Sequence, residues 1–272
     1  MIALPSRSAR QSLLLTLALL ASVSACRGAF QPRKYATSAA LFTASLDRLN
    51  KNKYDDAVAG FEKLTLDLGA RDSLLPLSQW YLGQAHVKRD ENLLAAQSFT
   101  KLAETFPDDS LGDDALLAAG DAYLRMWRRP SLDPAYGQTA QIQYRLLLSV
   151  YPESPLRERA ELANQRVDEL LATKDYETGM HYFRRRAFDS GLIYFKDVVR
   201  LFPNTDHARM ALLRMVDTYR HPLLNYKEDA AETCQTLRTS YPTDAEVQRV
   251  CPDPAAVKDS TATVPAKPPV LR

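Results

Sequence analysis

Apolar residues recur along most of this chain with the spacing of one helix face. In the clearest example a small residue, Ala95, is followed by Phe99 and Leu102, and the segment ends at Phe106-Pro107. Steps of four, three and four residues keep side chains on one side of an α-helix. Proline cannot continue a helix, and it biases the residue before it away from helical geometry. The segment therefore predicts a helix that stops at the aromatic residue.

The same ordered pattern occurs four more times, with a degenerate first copy and a cysteine in the bulky position of the last. A second helix is predicted after each stop, for example from Asp113 to Met126 and from Asp206 to Tyr219. The further copies are Ala57, Phe61, Leu64, Leu68 and Gly69; Ala140, Tyr144, Leu147, Tyr151 and Pro152; Gly191, Phe195, Val198, Phe202 and Pro203; and Ala230, Cys234, Leu237, Tyr241 and Pro242.

These repeated helical hairpins resemble the tetratricopeptide repeat. A single hairpin has too little apolar surface to fold alone, so stacked hairpins share one core. The predicted fold is all-α: a right-handed α-α superhelix of about five such hairpins over residues 38–251, with a concave face. Pro130 and Pro134 predict an irregular loop from Arg128 to Tyr136. Residues 252–272, rich in Pro, Ala, Lys, Thr and Ser, predict a disordered tail.

The first 25 residues have the pattern of an export signal. Arg7 and Arg10 form a positive region, and the apolar run from Leu13 to Ala21 is too short for a permanent membrane span. Residues 1–25 are therefore predicted to be a lipoprotein signal peptide.

The residues around the predicted cleavage site indicate lipidation. Val23-Ser24-Ala25-Cys26 resembles a bacterial lipobox, which implies a thioether-linked diacylglycerol on Cys26 and a tether over residues 26–37. Cleavage after Ala25 by the general signal peptidase is the alternative. Arg27 favours the outer membrane, because an aspartate there implies retention at the inner membrane.

Composition excludes several classes of protein. The chain of 272 residues has 35 Lys and Arg against 33 Asp and Glu, which argues against a nucleic-acid binder that works by bulk charge. No serine-hydrolase, nucleotide-binding or zinc-helix motif occurs. No enzyme, metal or cofactor is predicted. His86 falls at an aromatic packing position and predicts a core or boundary histidine, whereas His207, near a helix start, predicts a solvated one.

An acidic run and a cysteine pair each allow two interpretations. The carboxylates of Asp108-Asp109-Ser110 and Asp113-Asp114 look like a calcium cluster, but helix capping explains them more simply. Cys234 and Cys251 are equidistant from the predicted turn at Tyr241-Pro242, and antiparallel helices place such residues opposite each other. In an exported protein they predict a disulfide; the alternative is two small buried apolar side chains.

Two exposed basic runs are candidates for docking. Arg184-Arg185-Arg186, on a predicted helix, would spread over three directions as a solvated face, or dock an acidic partner together with Tyr182 and Phe183. Trp127-Arg128-Arg129 is the second candidate, because it leads into the long loop.

A lipobox followed by about five such repeats resembles the BamD family, also called ComL, of outer-membrane β-barrel assembly lipoproteins. The resemblance covers roughly Tyr35 to Pro242, and its middle section is the most specific. The matching elements, in order, are the Asp133-Pro134 loop; Tyr151-Pro152-Glu153-Ser154; Arg166 with Leu170, Leu171, Ala172 and Lys174; Tyr182-Phe183 with Arg185; and Phe202-Pro203-Asn204-Thr205.

The resemblance implies a non-catalytic scaffold, anchored by lipid on the periplasmic face of the outer membrane. Its implied partners are a BamA-like barrel subunit, other assembly lipoproteins and unfolded outer-membrane proteins. The implied partner-binding residues are Tyr182, Phe183, Arg184, Arg185, Arg186, Tyr194, Lys196 and Arg200; the implied substrate groove lies near Tyr54, Trp80, Tyr81 and Lys101. In the second helix of the fourth repeat, the family leads us to expect a basic residue that contacts the partner. This chain has Tyr194 there, so the resemblance implies no ion pair with the partner at this position.

Two other classes remain open. Another tetratricopeptide lipoprotein, such as a secretin pilotin or a cell-envelope or peptidoglycan adaptor, would share the anchor and the repeats. An enzyme subunit is the weaker alternative, because no nucleophile–base pair is seen in the sequence.

Overall fold

The computed structural model describes residues 30–253, and this part of the chain consists of helices joined by turns and loops, without a strand. The predicted signal peptide, Cys26 and residues 254–272 of the predicted tail lie outside the described residues. After a 3-10 turn at Pro32–Lys34, the helices are α1 (Ser38–Asn50), α2 (Tyr54–Asp67), α3 (Leu74–Lys88), α4 (Asn92–Thr105), α5 (Gly112–Met126), α6 (Ala135–Val150), α7 (Arg157–Arg184), α8 (Phe188–Leu201), α9 (Asp206–Tyr219), α10 (Lys227–Ser240) and α11 (Ala245–Val250).

The all-α prediction of paired helices is confirmed. Each copy of the repeated pattern forms a helix, and a second helix follows each stop. The helix predicted from Asp206 to Tyr219 has those bounds, and the one predicted from Asp113 begins one residue earlier. Residues 127–134 form the predicted irregular loop.

The pre-proline aromatic residues end their helices in the expected way. Tyr151, Phe202 and Tyr241 leave helical geometry with φ of −120°, −131° and −133°, while each backbone N–H still donates to the carbonyl four residues earlier. This geometry follows from the clash between a proline ring and a helical residue before it. These three copies therefore end by a local steric rule.

The chain divides into two compact units, the first of which ends at Glu91. In this unit α1, α2 and α3 pack against one another, and the 3-10 turn packs on α2. Phe61 and Leu64 from α2 form the centre of the core, together with Leu41 and Leu82. Partly buried aromatic side chains, Phe30, Tyr35, Phe42 and Tyr81, surround this core.

The second unit begins at Asn92 and contains α4 to α11, in which each helix packs against the next. The bulky residue of each repeat is buried, as Phe99, Tyr144, Phe195 and Cys234 show. Gly179 on α7 lies against the Phe195 ring, and a Cβ atom there would come within 2.6 Å of Phe195 Cε1. Small residues therefore allow the close helix approach that the sequence pattern predicts.

Within the described residues, no helix is long and apolar enough to cross a membrane. The longest, α7, has 28 residues and alternates charged and apolar side chains. It packs against α6, α8 and α9.

Candidate partner-binding surface

The three-arginine run lies around the end of a helix and not along its face. α7 ends at Arg184, and Arg186 adopts the left-handed conformation with φ of 61°. The backbone N–H of Arg186 donates to Phe183 O at 2.9 Å, which closes the helix end. All three arginine side chains are exposed. This corrects the expectation that the three arginines lie on a helix and spread over its face. The short link to α8 forces the chain to turn after Arg184, so the charges group at the C-terminal end of α7. That end is the negative end of the helix dipole.

Two of the implied partner-binding tyrosines form one aromatic platform. The rings of Tyr182 on α7 and Tyr194 on α8 stack with centroids 5.6 Å apart and an interplanar angle of 10°. His181 packs edge-on against Tyr182, and Arg185 donates to His181 Nε2. Both tyrosines remain partly exposed. The structure therefore joins an aromatic surface to the cationic helix end.

Phe183 has mainly a packing role. Its ring meets Phe188 edge-on at 5.6 Å, and the Arg214 guanidinium lies 5.2 Å from its centroid. Phe188 is buried and also contacts His221. Phe183 thus connects α7 to α8 and α9 by packing.

Lys196 and Arg200 lie on one exposed face of α8. Lys196 Nζ is 5.9 Å from the centroid of Tyr219, and Arg200 forms an ion pair of 2.6 Å with Asp197. Burial raises the pKa of Tyr219, an effect that Lys196 opposes by hydrogen bonding and by its charge. At neutral pH Tyr219 is therefore uncharged, and its ring lies beside the Lys196 ammonium.

A cleft of about 230 Å³ opens beside Lys196. Ile193, which sequence reasoning missed, has 62% of its surface exposed at this cleft. The sequence signal for an exposed apolar residue was an isoleucine on the polar face of an amphipathic helix. Asp189, Lys196 and Arg200 occupy the neighbouring turns of that face, and all three are charged. The cleft is lined by Asp189, Leu192, Ile193, Lys196, Tyr219, Tyr226 and Asp229.

The implied substrate-groove residues divide between the two units. Tyr54, Trp80 and Tyr81 belong to the first unit, and Lys101 lies exposed on α4 of the second. Tyr81 stacks on Phe61 at 5.7 Å and meets Phe42 edge-on at 5.8 Å, so most of its ring serves the core. Tyr54 donates its hydroxyl hydrogen to Asn52 Oδ1 at 2.8 Å.

Trp127 is a core residue, which corrects its selection as a docking side chain. Only 4% of it is exposed, and its ring packs directly on Gly137 of α6. Arg128 and Arg129 are exposed beside it. The irregular loop folds the indole inward because α6 presents a glycine there.

The two histidine predictions have opposite outcomes. His86 is confirmed as a core histidine: it is 4% exposed, and its Nδ1 lies 2.7 Å from Glu91 Oε2. The prediction of a solvated His207 is wrong, because its ring is hydrogen-bonded to Glu169 and packs edge-on against Tyr176. Both partners come from α7, which is distant in sequence.

The acidic run hydrogen-bonds to backbone N–H groups around the start of α5, but the N-cap residue of that helix is Leu111, which provides no side-chain cap. Asp109 Oδ1 accepts from the backbone N–H of Leu111 at 2.9 Å, and Asp113 Oδ1 accepts from that of Asp114 at 2.9 Å. Asp113 also accepts from the hydroxyl of Ser154. No cluster of three metal-binding side chains occurs in residues 30–253.

The last helix is tied to its neighbours by covalent and polar contacts. Cys234 and Cys251 form a disulfide with Cα atoms 5.3 Å apart, and both side chains are buried. Arg220 donates to Val250 O at 2.8 Å and to Cys234 Sγ at 3.3 Å. The structure therefore brings together the two cysteines that the hairpin geometry paired.

Comparison with known families identifies the class of protein. A family model described as YfiO, outer membrane lipoprotein, matches residues 34–249. The chain belongs to this family. The match includes α1 to α10 and nearly all of α11, so family membership applies to the helical array as a whole.

A curated relative agrees with the family. The chain is 23% identical over 210 residues to "Outer membrane protein assembly factor BamD" of Caulobacter vibrioides, across 75% of this chain. The aligned part spans 66% of that relative's length.

Solved structures with tetratricopeptide repeats are also similar to the chain. The P58(IPK) TPR domain is 11% identical, with a TM-score of 0.42, over 94% of this chain and 61% of that one. The TPR2AB domain of yeast Sti1, solved as a complex with pHSP90, is 12% identical with a TM-score of 0.40, over 83% of this chain and 86% of that one.

Proposed function

We propose that this chain is a lipid-anchored, non-catalytic scaffold of the machinery that assembles β-barrel proteins into the outer membrane. The observation that carries the proposal is the family match over residues 34–249, together with a relative named as an assembly factor. In this role the chain sits on the periplasmic face, held by diacylglycerol on Cys26. It binds a BamA-like barrel subunit, other assembly lipoproteins and unfolded outer-membrane proteins.

The α7–α8 surface supports a role in binding the barrel subunit. Stacked Tyr182 and Tyr194 offer rigid aromatic area, and the exposed arginines at the end of α7 suit an acidic partner. The cleft beside Ile193 adds a recess of about 230 Å³ lined by both apolar and charged side chains. Aromatic and arginine side chains dominate the energetics of most protein interfaces, so this surface is the first to test.

For unfolded substrates, we propose binding on the first unit, near Tyr54 and Trp80. An extended segment can be held by shape and a few aromatic anchors without any reaction. Tyr81 would pack beneath this surface and contribute little direct contact, because Phe42 and Phe61 already cover its ring.

Crosslinking in intact cells, followed by mass spectrometry of the attached proteins, tests the partner assignment. A photoreactive residue at position 194 should capture a BamA-like barrel protein, whereas the same residue at exposed Leu66 serves as the control. Capture of a secretin ring protein would instead favour a pilotin, and capture of a peptidoglycan-binding protein would favour a cell-envelope adaptor.

The lipid anchor has a separate test. Cys26→Ser should leave the fold unchanged and release the protein from membranes, because two acyl chains supply most of the anchoring free energy. Membrane fractionation after a high-salt wash measures this release. Retention of the variant in cells that lack the barrel subunit would contradict lipid anchoring.

A further inference from the structure

The 3-10 turn before α1 is basic and is firmly held on the first unit. Lys34 N–H donates to Gln31 O at 3.1 Å, and Tyr35 N–H donates to Pro32 O at 3.4 Å. Phe30 and Tyr35 pack against each other at 5.6 Å and border the core cluster. The turn is therefore a fixed part of the folded unit.

The charges of this turn are positive and exposed. Arg33 and Lys34 both face solvent, and residues 26–38 contain no carboxylate. A cavity of about 260 Å³ lies beside Arg33, and Thr37, Ser38 and Lys63 help to line it. Asp67, the carboxylate in its lining, already forms an ion pair with Lys63. Within the described residues, neither Arg33 nor Lys34 forms an ion pair with a carboxylate, so the exposed charge of the turn is positive.

This turn lies within a short distance of the proposed acyl anchor. Arg33 lies seven positions after Cys26, and a fully extended chain spans at most about 3.6 Å per step, or about 25 Å in total. That limit keeps the turn close to the layer of lipid headgroups whenever the acyl chains are inserted. A basic segment beside a lipid anchor is attracted to anionic lipids, at about fivefold in binding for each Lys or Arg.

We infer that the Pro32–Lys34 turn and its cavity form a docking surface for the headgroups of anionic phospholipids, with Arg33 and Lys34 as the contacting cations. This inference rests on the proposed lipid anchor for its biological setting. The contact orients the first unit against the membrane, which attachment through the acyl chains alone would not do. It requires no partner protein.

Vesicle flotation with the Cys26→Ser chain tests the contact without the acyl chains. The measured quantity is the ratio of protein bound to vesicles of phosphatidylcholine with phosphatidylglycerol over protein bound to phosphatidylcholine alone. We expect this ratio to be well above one and to fall in high salt. Equal binding to the two kinds of vesicle would overturn the inference.

A matched pair of variants locates the contact. R33E/K34E should lower the ratio by about tenfold or more, whereas K51E/K53E, which makes the same charge change at the exposed α1–α2 turn, should lower it much less. Equal losses in both variants would overturn the inference, because they would indicate a response to net charge alone.

Hydrogen exchange gives a second test in the lipidated chain. We expect anionic bilayers, but not neutral ones, to slow the exchange of residues 30–38. Exchange that is the same in both bilayers would count against the contact. Capture of the barrel subunit is measured independently, so failure here leaves the proposed function standing.

Discussion

The first helices and the last helix of the described chain are held in different ways. In the first unit, α1 has 13 residues, and aromatic side chains around Phe61 secure it to α2 and α3. At the other end of the described chain, α11 has only 6 residues, of which Val247 alone is buried, and a disulfide with two arginine contacts secures it. The longer helix α1 can bury enough apolar surface to be stabilised by packing. The six-residue helix α11 buries too little, so it also needs a disulfide and hydrogen bonds.

The largest stability effect should come from the aromatic core of the first unit. Phe61 is fully buried and contacts Phe42 and Tyr81, so Phe61→Ala should lower the free energy of unfolding by about 3–5 kcal/mol. Chemical denaturation measures this loss. Leu66→Ala on the same helix, at a position 82% exposed, is the control and should change stability very little. Similar losses in both variants would contradict a core centred on Phe61.

The next effect should come from the disulfide at the last helix. Removing it with Cys234→Ala and Cys251→Ala should cost about 2–4 kcal/mol, and faster amide exchange should be concentrated in α11. Urea unfolding and hydrogen exchange measure the two parts of this expectation. Thiol titration of the denatured, unreduced protein purified from the periplasm should find no free thiol from this pair. Two free thiols would contradict the disulfide and, with it, the covalent stabilisation of α11.

A smaller effect separates two threonine caps of the same type. Thr37 accepts from Ala40 N–H at the start of α1, and Thr205 accepts from Ala208 N–H at the start of α9. Thr205 is buried and also donates to Phe202 O, so its replacement by alanine should cost about 1–2 kcal/mol, whereas Thr37→Ala should cost about 0.5–1 kcal/mol. Thermal unfolding of the two variants compares them. The reverse order would show that burial does not control these caps.

The smallest stability effect is expected at the proposed partner surface. R184E/R185E should leave the melting temperature nearly unchanged, because exposed charges contribute little to folding. The same variant should reduce recovery of the barrel subunit in a pulldown, since it reverses the cationic end of α7. The matched variant K51E/K53E, which reverses two exposed lysines of the first unit, should keep partner recovery at the level of the unmodified chain. Unchanged recovery with R184E/R185E would remove the arginine run from the interface.

The helices were predictable because their signals are local. The spacing from Ala95 to Leu102 places one face of a helix toward a neighbour, and the prolines end helices through a clash with the residue before them. The pairing of Cys234 with Cys251 was also accessible, because an antiparallel hairpin relates positions on either side of one turn. These inferences need only the neighbouring residues.

The roles of several side chains were not predictable in the same way. His207 meets Glu169 from a helix 38 residues earlier in the chain, so no local pattern distinguishes it from a solvated histidine. Trp127 turns inward because Gly137 leaves room for its ring. Tyr81 is covered by Phe42 and Phe61, which reduces the free surface expected of a groove residue.

By itself, the sequence determined the helical class, the helix ends and the family resemblance, because these depend on spacing, proline sterics and residue order along the chain. Only the tertiary structure decided which aromatic and charged side chains remain exposed. It grouped Tyr182 with Tyr194, turned the arginine run around the end of α7 and opened the cleft at Ile193. Exposure depends on which distant residues cover a side chain, and that covering is settled when the helices pack.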